Sequence, residues 1–291
     1  GEGGRRPVKT HGIDEFYEMK EKIGEGGFSV VMRAKSRTDQ QYYAIKCIDI
    51  AKLTHKGSEH LGVEMDIMRQ LDHRHIVPLV DVVYDDPRLY FVMPHFRGGD
   101  LFDRIKRGGA FSEERARTLF RCVVGAVHYC HGRGVIHRDI KPENIVLQGN
   151  GTGHDAPLLC DFGCAARLPP PSAGAAPAAR LTTYCGTLSY MAPEMMLGRP
   201  YDRRVDTWSL GVVLYCVLCG YRPFRHSDPD ENRRRIGAAD FKFPSKEWGG
   251  VSTEAKRLVR GLLTVEAEKR LSAGAALEEK WARRVPKKEI R

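Results

Sequence analysis

Eight consecutive residues, His137-Arg138-Asp139-Ile140-Lys141-Pro142-Glu143-Asn144, place a carboxylate that can act as a base, a cation and a metal-ligating amide oxygen in one short segment. Seventeen residues after Asn144, Asp161-Phe162-Gly163 offers a second carboxylate on a turn. Upstream lie the glycine-rich Gly24-Glu25-Gly26-Gly27-Phe28-Ser29-Val30 and an isolated lysine in the apolar run Tyr43-Ala44-Ile45-Lys46. Phosphoryl transfer from a nucleotide needs these parts: backbone over the phosphates, cations on their oxygens, oxygen ligands for Mg2+ and a group that orients the attacking hydroxyl. A glycine-rich turn alone says little, because a hairpin with no ligand uses one equally well. The complete set, in this order, is the informative observation.

The elements that must hold these residues change character near residue 100. Before it, Tyr17–Ile23, Val30–Lys35, Tyr42–Ile48, Val77–Tyr84 and Leu89–Met93 are rich in branched and aromatic residues and read as strands. One helix interrupts them, with Leu61, Met65, Met68 and Leu71 at helical spacing around Glu64. After residue 100, Ser112-Glu113-Glu114-Arg115 opens a helix running to about Arg133, and further helices are expected near 206–219, 228–238, 252–263 and 272–282. Residues Leu168–Arg180 are rich in proline and alanine and have little to bury, which predicts a mobile loop.

Composition narrows the classes. No run of about 18 apolar residues exists, so no membrane span is expected, and Leu210–Leu218 reads as a buried helix. Residues 1–13 are expected to be a disordered leader or appended remnant, since Gly1–Arg6 lacks the apolar core of a signal peptide. The net charge is +10; its densest basic runs, Arg233-Arg234-Arg235 and the tail from Lys280, are not interleaved with several aromatics, so a solvated face is favoured and no nucleic-acid partner is expected. The eight cysteines read as free thiols in a chain of this size without a secretory signal. Cys216 and Cys219 have CxxC spacing but no second ligand pair for zinc, while Cys160 and Cys164 flank the Asp-Phe-Gly turn where a thiol near a nucleotide could react. Asn150-Gly151-Thr152 is a glycosylation sequon in form only.

The ordered set resembles the eukaryotic protein kinases, over roughly Phe16 to Trp281. The resemblance implies an α+β, two-lobed kinase fold: residues 14–93 a β-rich small lobe, 94–99 a hinge, 100–285 a mainly helical large lobe, and 286–291 a basic tail. It implies ATP and Mg2+ as cofactors and serine/threonine specificity from Lys141-Pro142-Glu143-Asn144. By position it makes Asp139 and Lys141 catalytic and Asn144 and Asp161 metal ligands. Nucleotide contacts fall on Ile23, Gly24, Glu25, Gly26, Gly27, Phe28, Ser29, Val31, Ala44, Lys46, Glu64, Met93, Pro94, Phe96, Asp100 and Glu143. Lys46 and Glu64 resemble the lysine and helix glutamate that pair in active kinases. Arg138 and Thr183, or the neighbouring Thr182, take regulatory roles, with an upstream kinase as partner. Asp100 and Glu143 match positions that face an arginine before the phosphoacceptor in basophilic kinases.

Three positions depart from the pattern: Ser29 replaces the third glycine, Asp100 the more frequent glutamate, and Leu188 stands where proline is usual after Gly186-Thr187. Gly98–Ile105 and Gly186–Glu194 look most like the calmodulin-dependent group. Trp281, Val285 and Ile290 have spacing seen in calmodulin ligands, but Pro286 interrupts that helix, and sealing the last helix is the favoured role for Trp281. The expected compartment is cytoplasmic, with the nucleus as a second. The alternatives are a kinase-like scaffold with weak catalysis, which the intact Lys46, Glu64, Asp139, Asn144 and Asp161 oppose, and a small-molecule phosphotransferase, which Ala192-Pro193-Glu194 opposes.

Overall fold

The structure, a computed structural model, describes residues 8–10, 12–26, 29–149, 155–168 and 181–284. The expectations for Gly1–Arg6, Gly27, Phe28, Asn150-Gly151-Thr152, the stretch 169–180 and the tail from Val285 concern residues outside these. The chain divides into two compact units, residues 1–97 and 98–291.

In the first unit, alternation of apolar and polar residues builds an antiparallel sheet in the order β1-β2-β3-β5-β4. Its strands are β1 (Tyr17–Glu25), β2 (Ser29–Ser36), β3 (Tyr42–Asp49), β4 (Asp81–Asp85) and β5 (Arg88–Pro94). Ala34, Ile45 and Val92 turn one way into a core shared with Ile13, Tyr17, Val83 and Tyr90. Ala44 and Lys46 alternate with Ile45, so they take the other face, where Ala44 pairs with Met93 and Lys46 with Val31 and Phe91. The short helix α1 (Ile13–Phe16) precedes the sheet, and α2 (His55–Gln70) follows β3. Thr54 caps α2 by accepting a hydrogen bond from the Gly57 amide at 3.2 Å, a device that contributes about 1 kcal/mol.

Two expectations fail here for identifiable reasons. The strand expected over Val77–Tyr84 begins only at Asp81, because Pro78 has no N–H for a ladder. Residues 8–10, 12 and 13, expected outside the fold, are partly inside it. The Lys9 amide donates to Val82 at 3.0 Å, the Lys9 carbonyl accepts from Tyr84 at 2.8 Å, and Ile13 is buried. This segment covers the edge of β4, which would otherwise present unpaired backbone.

The second unit is mainly helical. It contains α3 (Leu101–Gly108), α4 (Glu113–Gly132), α5 (Pro193–Met196), α6 (Arg204–Cys219), α7 (Pro229–Ala238), α8 (Ser245–Trp248), α9 (Thr253–Leu262), α10 (Ala273–Glu278) and α11 (Lys280–Arg283). Asp100, Ser112, Asp228, Ser252 and Ser272 each accept from a backbone amide at a helix start. Helix α6 is buried from Val205 to Cys219 and is apolar all round beyond Ser209, as a central core helix must be. The helix expected over 272–282 breaks at Glu279, whose extended backbone (ψ 139°) turns Trp281 inward. The Trp281 indole donates to Glu113 at 2.6 Å and meets Phe120 edge-on, so it seals the unit.

Two short antiparallel pairs complete this unit: β6 (Val135–Ile136) with β9 (Ala166–Arg167), and β7 (Ile145–Leu147) with β8 (Pro157–Leu159). Gly98 passes so close to β7 that a Cβ there would lie 2.4 Å from the Leu147 carbonyl oxygen. Glu194 and the fully buried Arg270 form a two-pronged ion pair at 2.7 and 2.9 Å. Among the described residues no helix is long and apolar enough to cross a membrane. All eight cysteines are free thiols, and among the described residues no group of three or more His, Cys, Asp or Glu side chains could hold a metal ion.

Candidate active site

The segment 137–144 is held from beneath by a single buried carboxylate. Asp206, in the first turn of α6, accepts from the His137 amide at 2.9 Å, the Arg138 amide at 2.8 Å and the His131 ring at 2.8 Å. Burial would raise its pKa, but the hydrogen bond and charge of His131 and the His137 amide outweigh burial and hold it below the ordinary carboxylate range. These bonds support Arg138 at φ +68°, a left-handed conformation that costs a non-glycine residue about 1–2 kcal/mol. His137 Nδ1 accepts from the Asp139 amide at 3.3 Å, so its Nε2 donates to the Cys160 carbonyl at 3.0 Å.

On this platform stands Asp139, with both carboxylate oxygens engaged. Oδ1 accepts from the Thr187 amide and hydroxyl, each at 2.9 Å, and Oδ2 from Lys141 at 2.7 Å and Asn144 at 3.1 Å. Lys141 also reaches the Thr187 hydroxyl at 2.9 Å, closing a ring of carboxylate, ammonium and hydroxyl. Burial would lower the Lys141 pKa, but the Asp139 bond and charge outweigh it and hold the group above its ordinary value. The lysine therefore stays a cation beside the carboxylate.

Thr187 enters through Gly186, where φ is +91° and a Cβ would lie 2.5 Å from the Arg138 carbonyl oxygen. Only glycine fits that approach. The sequence alone does not announce the double contact between Thr187 and Asp139. The signal was a hydroxyl residue after a glycine, and it is visible only once 48 residues of chain have folded back.

Asn144 donates its amide nitrogen to the Asp139 carbonyl at 2.8 Å as well as to Oδ2, so its amide oxygen is the end suited to a cation. Asp161 is exposed, at φ +60°, while the next residue, Phe162, is fully buried against His137 with ring centroids 4.8 Å apart. A buried aromatic thus pins a turn whose preceding carboxylate faces solvent. One amide oxygen and one carboxylate fit Mg2+, which takes few protein ligands alongside substrate phosphates.

In the first unit, β1 and β2 close into a hairpin at the glycine-rich turn, with the Gly26 amide donating to Ser29 at 2.8 Å and Gly24 paired with Val31. A strand, not a helix, follows Ser29, which excludes a dinucleotide-binding turn. Gly27 and Phe28 lie outside the described residues. The Lys46 ammonium meets Glu64 at 2.6 Å, with Glu64 buried and Lys46 less so. Ile23 is exposed, and Val31, Ala44, Met93, Pro94 and Phe96 are half-buried. Pro94 is still sheet, paired with Tyr43.

Asp100 spends Oδ1 on the α3 N-terminus, accepting from the Asp103 amide at 2.7 Å, whereas Glu143 is exposed. Thr182 and Thr183 are exposed as well. The Arg138 guanidinium donates to the Cys164 carbonyl and to the Tyr201 hydroxyl (3.0 Å), and that hydroxyl donates to the Thr183 carbonyl at 2.7 Å. Tyr201, absent from the sequence reading, is therefore the link between Arg138 and Thr183.

The family described as protein kinase domain matches residues 17–282. Myosin light chain kinase A of Dictyostelium discoideum is 38% identical over 269 residues, 92% of this chain and 88% of that protein. Calcium/calmodulin-dependent protein kinase type 1B of Rattus norvegicus is 39% identical over 274 residues, covering 94% and 77% of the two chains. The type 1 enzyme of Caenorhabditis briggsae is 38% identical over 277 residues, covering 94% and 75%.

Proposed function

The chain belongs to the protein kinases, similar to the calmodulin-dependent group, and on that premise we propose that it transfers the γ-phosphoryl group of ATP to serine and threonine hydroxyls of proteins. The observation that carries this reading is the Asp139 carboxylate, buried and fixed by four donors from Thr187, Lys141 and Asn144. A fixed carboxylate can accept the hydrogen bond of an incoming hydroxyl and aim its oxygen at phosphorus. The transition state is loose, so orientation matters more than early proton removal.

Lys141 stands beside that carboxylate as a cation and neutralises charge on the transferred group. Lys46, oriented by Glu64, would pair with the α- and β-phosphates. The backbone around Gly24, Glu25, Gly26 and Ser29 would cover the phosphates, and Ile23, Val31, Ala44 and Met93 would surround the adenine. The Pro94 carbonyl and the Phe96 amide hydrogen-bond its edge, a pairing that proline's missing N–H does not disturb. Asn144 and Asp161 would hold Mg2+, which supplies charge neutralisation on the phosphates when bound. Glu143 faces a basic residue of the substrate, joined by Asp100 through the oxygen not used at α3. Phosphorylation of Thr183 by an upstream kinase would add an anion within reach of Arg138. Trp281 is committed to the interior, so it is not the anchor of a calmodulin-binding helix.

The direct test is transfer from γ-labelled ATP with Mg2+ to peptides carrying serine, threonine or tyrosine, followed by phosphoamino-acid analysis. Label on phosphoserine and phosphothreonine is expected. Label on tyrosine alone, or on none of the three, would overturn the reading.

A further inference from the structure

We infer that Arg222 is a specificity-determining residue, whose guanidinium recognises an aspartate or glutamate close in sequence to the phosphoacceptor of a protein substrate. That role rests on the kinase reading above. Arg222 stands on the chain that leaves α6, and its Nη1 donates to the Ser189 hydroxyl at 2.6 Å across 33 positions.

Both ends of this contact are fixed. Gly220 caps α6 in the left-handed conformation at φ +90°, and Phe224 is buried and stacks on Trp208 with ring centroids 5.5 Å apart. Between them, Pro223 biases Arg222 toward extended backbone. On the other side, Leu188–Tyr190 form a tight helical turn, and the Ser209 hydroxyl of α6 donates to the Tyr190 carbonyl at 2.8 Å. One helix thus holds both the cation and the turn it touches. That turn continues directly from Thr187, whose amide and hydroxyl bond Asp139. Two residues of chain span at most about 7 Å, so Ser189 lies within about two to three extended residues of a hydroxyl held at Asp139.

The charge of Arg222 is oriented but not neutralised. Arg204, Arg234, Arg235 and Arg270 of the same unit each meet a carboxylate. Arg222 is exposed, and among the described residues no carboxylate lies within ion-pair distance of it. Ser189 is a neutral acceptor that takes one of the guanidinium's N–H donors and leaves the rest of the fork for another anion. The opposite charge is close by. Burial raises the Tyr190 pKa, Cys216 and Glu143 add to the rise, and Arg222 opposes it. A substrate that offers a base to Glu143 and an acid to Arg222 matches both signs.

The test uses the whole chain and threonine peptides in which aspartate, alanine, lysine or phosphoserine is placed in turn at each position near the acceptor. At one or more positions aspartate should raise kcat/KM about three- to fivefold over alanine, the scale of a solvent-exposed pair. The gain should shrink at high salt, which screens such pairs. The aspartate-to-alanine ratio should persist in Arg222→Lys and fall to about one in Arg222→Gln, and Arg222→Glu should favour lysine over aspartate at the same position. A merely structural arginine would change the rate with all peptides alike. Equal kcat/KM for aspartate and alanine at every position, or a ratio unmoved by Arg222→Gln, would overturn the assignment. A gain confined to phosphoserine would overturn the choice of a carboxylate. Transfer to none of the peptides would overturn the kinase reading instead. The Kd of the same peptides with alanine in place of the acceptor, read by fluorescence anisotropy, then decides the charge recognition: tighter binding of the aspartate peptide, lost in Arg222→Gln, supports it, and equal Kd values overturn it.

Discussion

Asp206 and the Lys46–Glu64 pair are both ionic arrangements, one in each unit, but they are built for different ends. Asp206 is completely buried and receives a ring N–H and two backbone amides, so its charge is spent on holding the chain in a strained path. The Lys46–Glu64 pair joins a strand to a helix and leaves the lysine partly exposed. A carboxylate surrounded by backbone donors is structural; a cation oriented by a buried partner is held ready for another anion. Replacing the first should cost stability, and replacing the second should cost rate.

The largest expected effect follows from removing the anchor. Asp206→Ala leaves the His131 ring and two backbone amides buried without an acceptor, a loss of about 3–5 kcal/mol, equivalent to a drop in melting temperature of roughly 10 °C in calorimetry. A drop of only a degree or two would show that the loop is held by something else. Asp206 titrates below the ordinary carboxylate range in the folded state, so its contribution is present above that range. It is lost as pH falls through the depressed folded-state pKa, and the variant should lack this part of the acid limb of the stability curve.

The complementary substitutions should leave the fold and remove the rate. Lys46→Met and Asp161→Asn are each expected to lower kcat by about 10²–10³-fold in variants that still fold cooperatively. Normal turnover in either, at saturating ATP and Mg2+, would remove that residue from its assigned role.

Smaller effects sharpen the contrast between fixed and adjustable parts. Peptides with arginine a few residues before the phosphoacceptor should lose about ten- to a hundredfold in kcat/KM when it becomes alanine, the loss of one charge-assisted pair of about 1.5–3 kcal/mol. Equal efficiencies would take Glu143 and Asp100 out of substrate recognition. Stoichiometric phosphate at Thr183 should raise kcat/KM severalfold relative to unphosphorylated protein and to Thr183→Ala, because on the proposed reading the new anion would pair with Arg138. An unchanged value would mean the site is not a switch.

What the sequence reveals follows the range of the interaction. The helices α4, α7 and α9 are legible because Ser112, Asp228 and Ser252 cap them locally and apolar residues recur at helical spacing. Asp139, Lys141 and Asn144 are legible because they sit within eight residues. Pro78 is a local signal that the strand expected over 77–84 ignored, and the break at Glu279 reflects the demand of Trp281 for the interior, a tertiary cause. The contacts of Thr187 with Asp139 and of Tyr201 with Arg138 span 48 and 63 positions. No periodicity or spacing rule encodes them.

The account stands on Asp139 as the group that orients the attacking hydroxyl, and Asp139→Asn tests this most directly. Asparagine retains an oxygen for Thr187 and removes the charge with little change of shape. With ATP and Mg2+ saturating, kcat should fall by about 10²–10³-fold while KM for ATP stays within about twofold, the signature of an interaction made in the transition state alone. A kcat within about threefold of the parent, in a variant with an unchanged melting curve, would contradict the account.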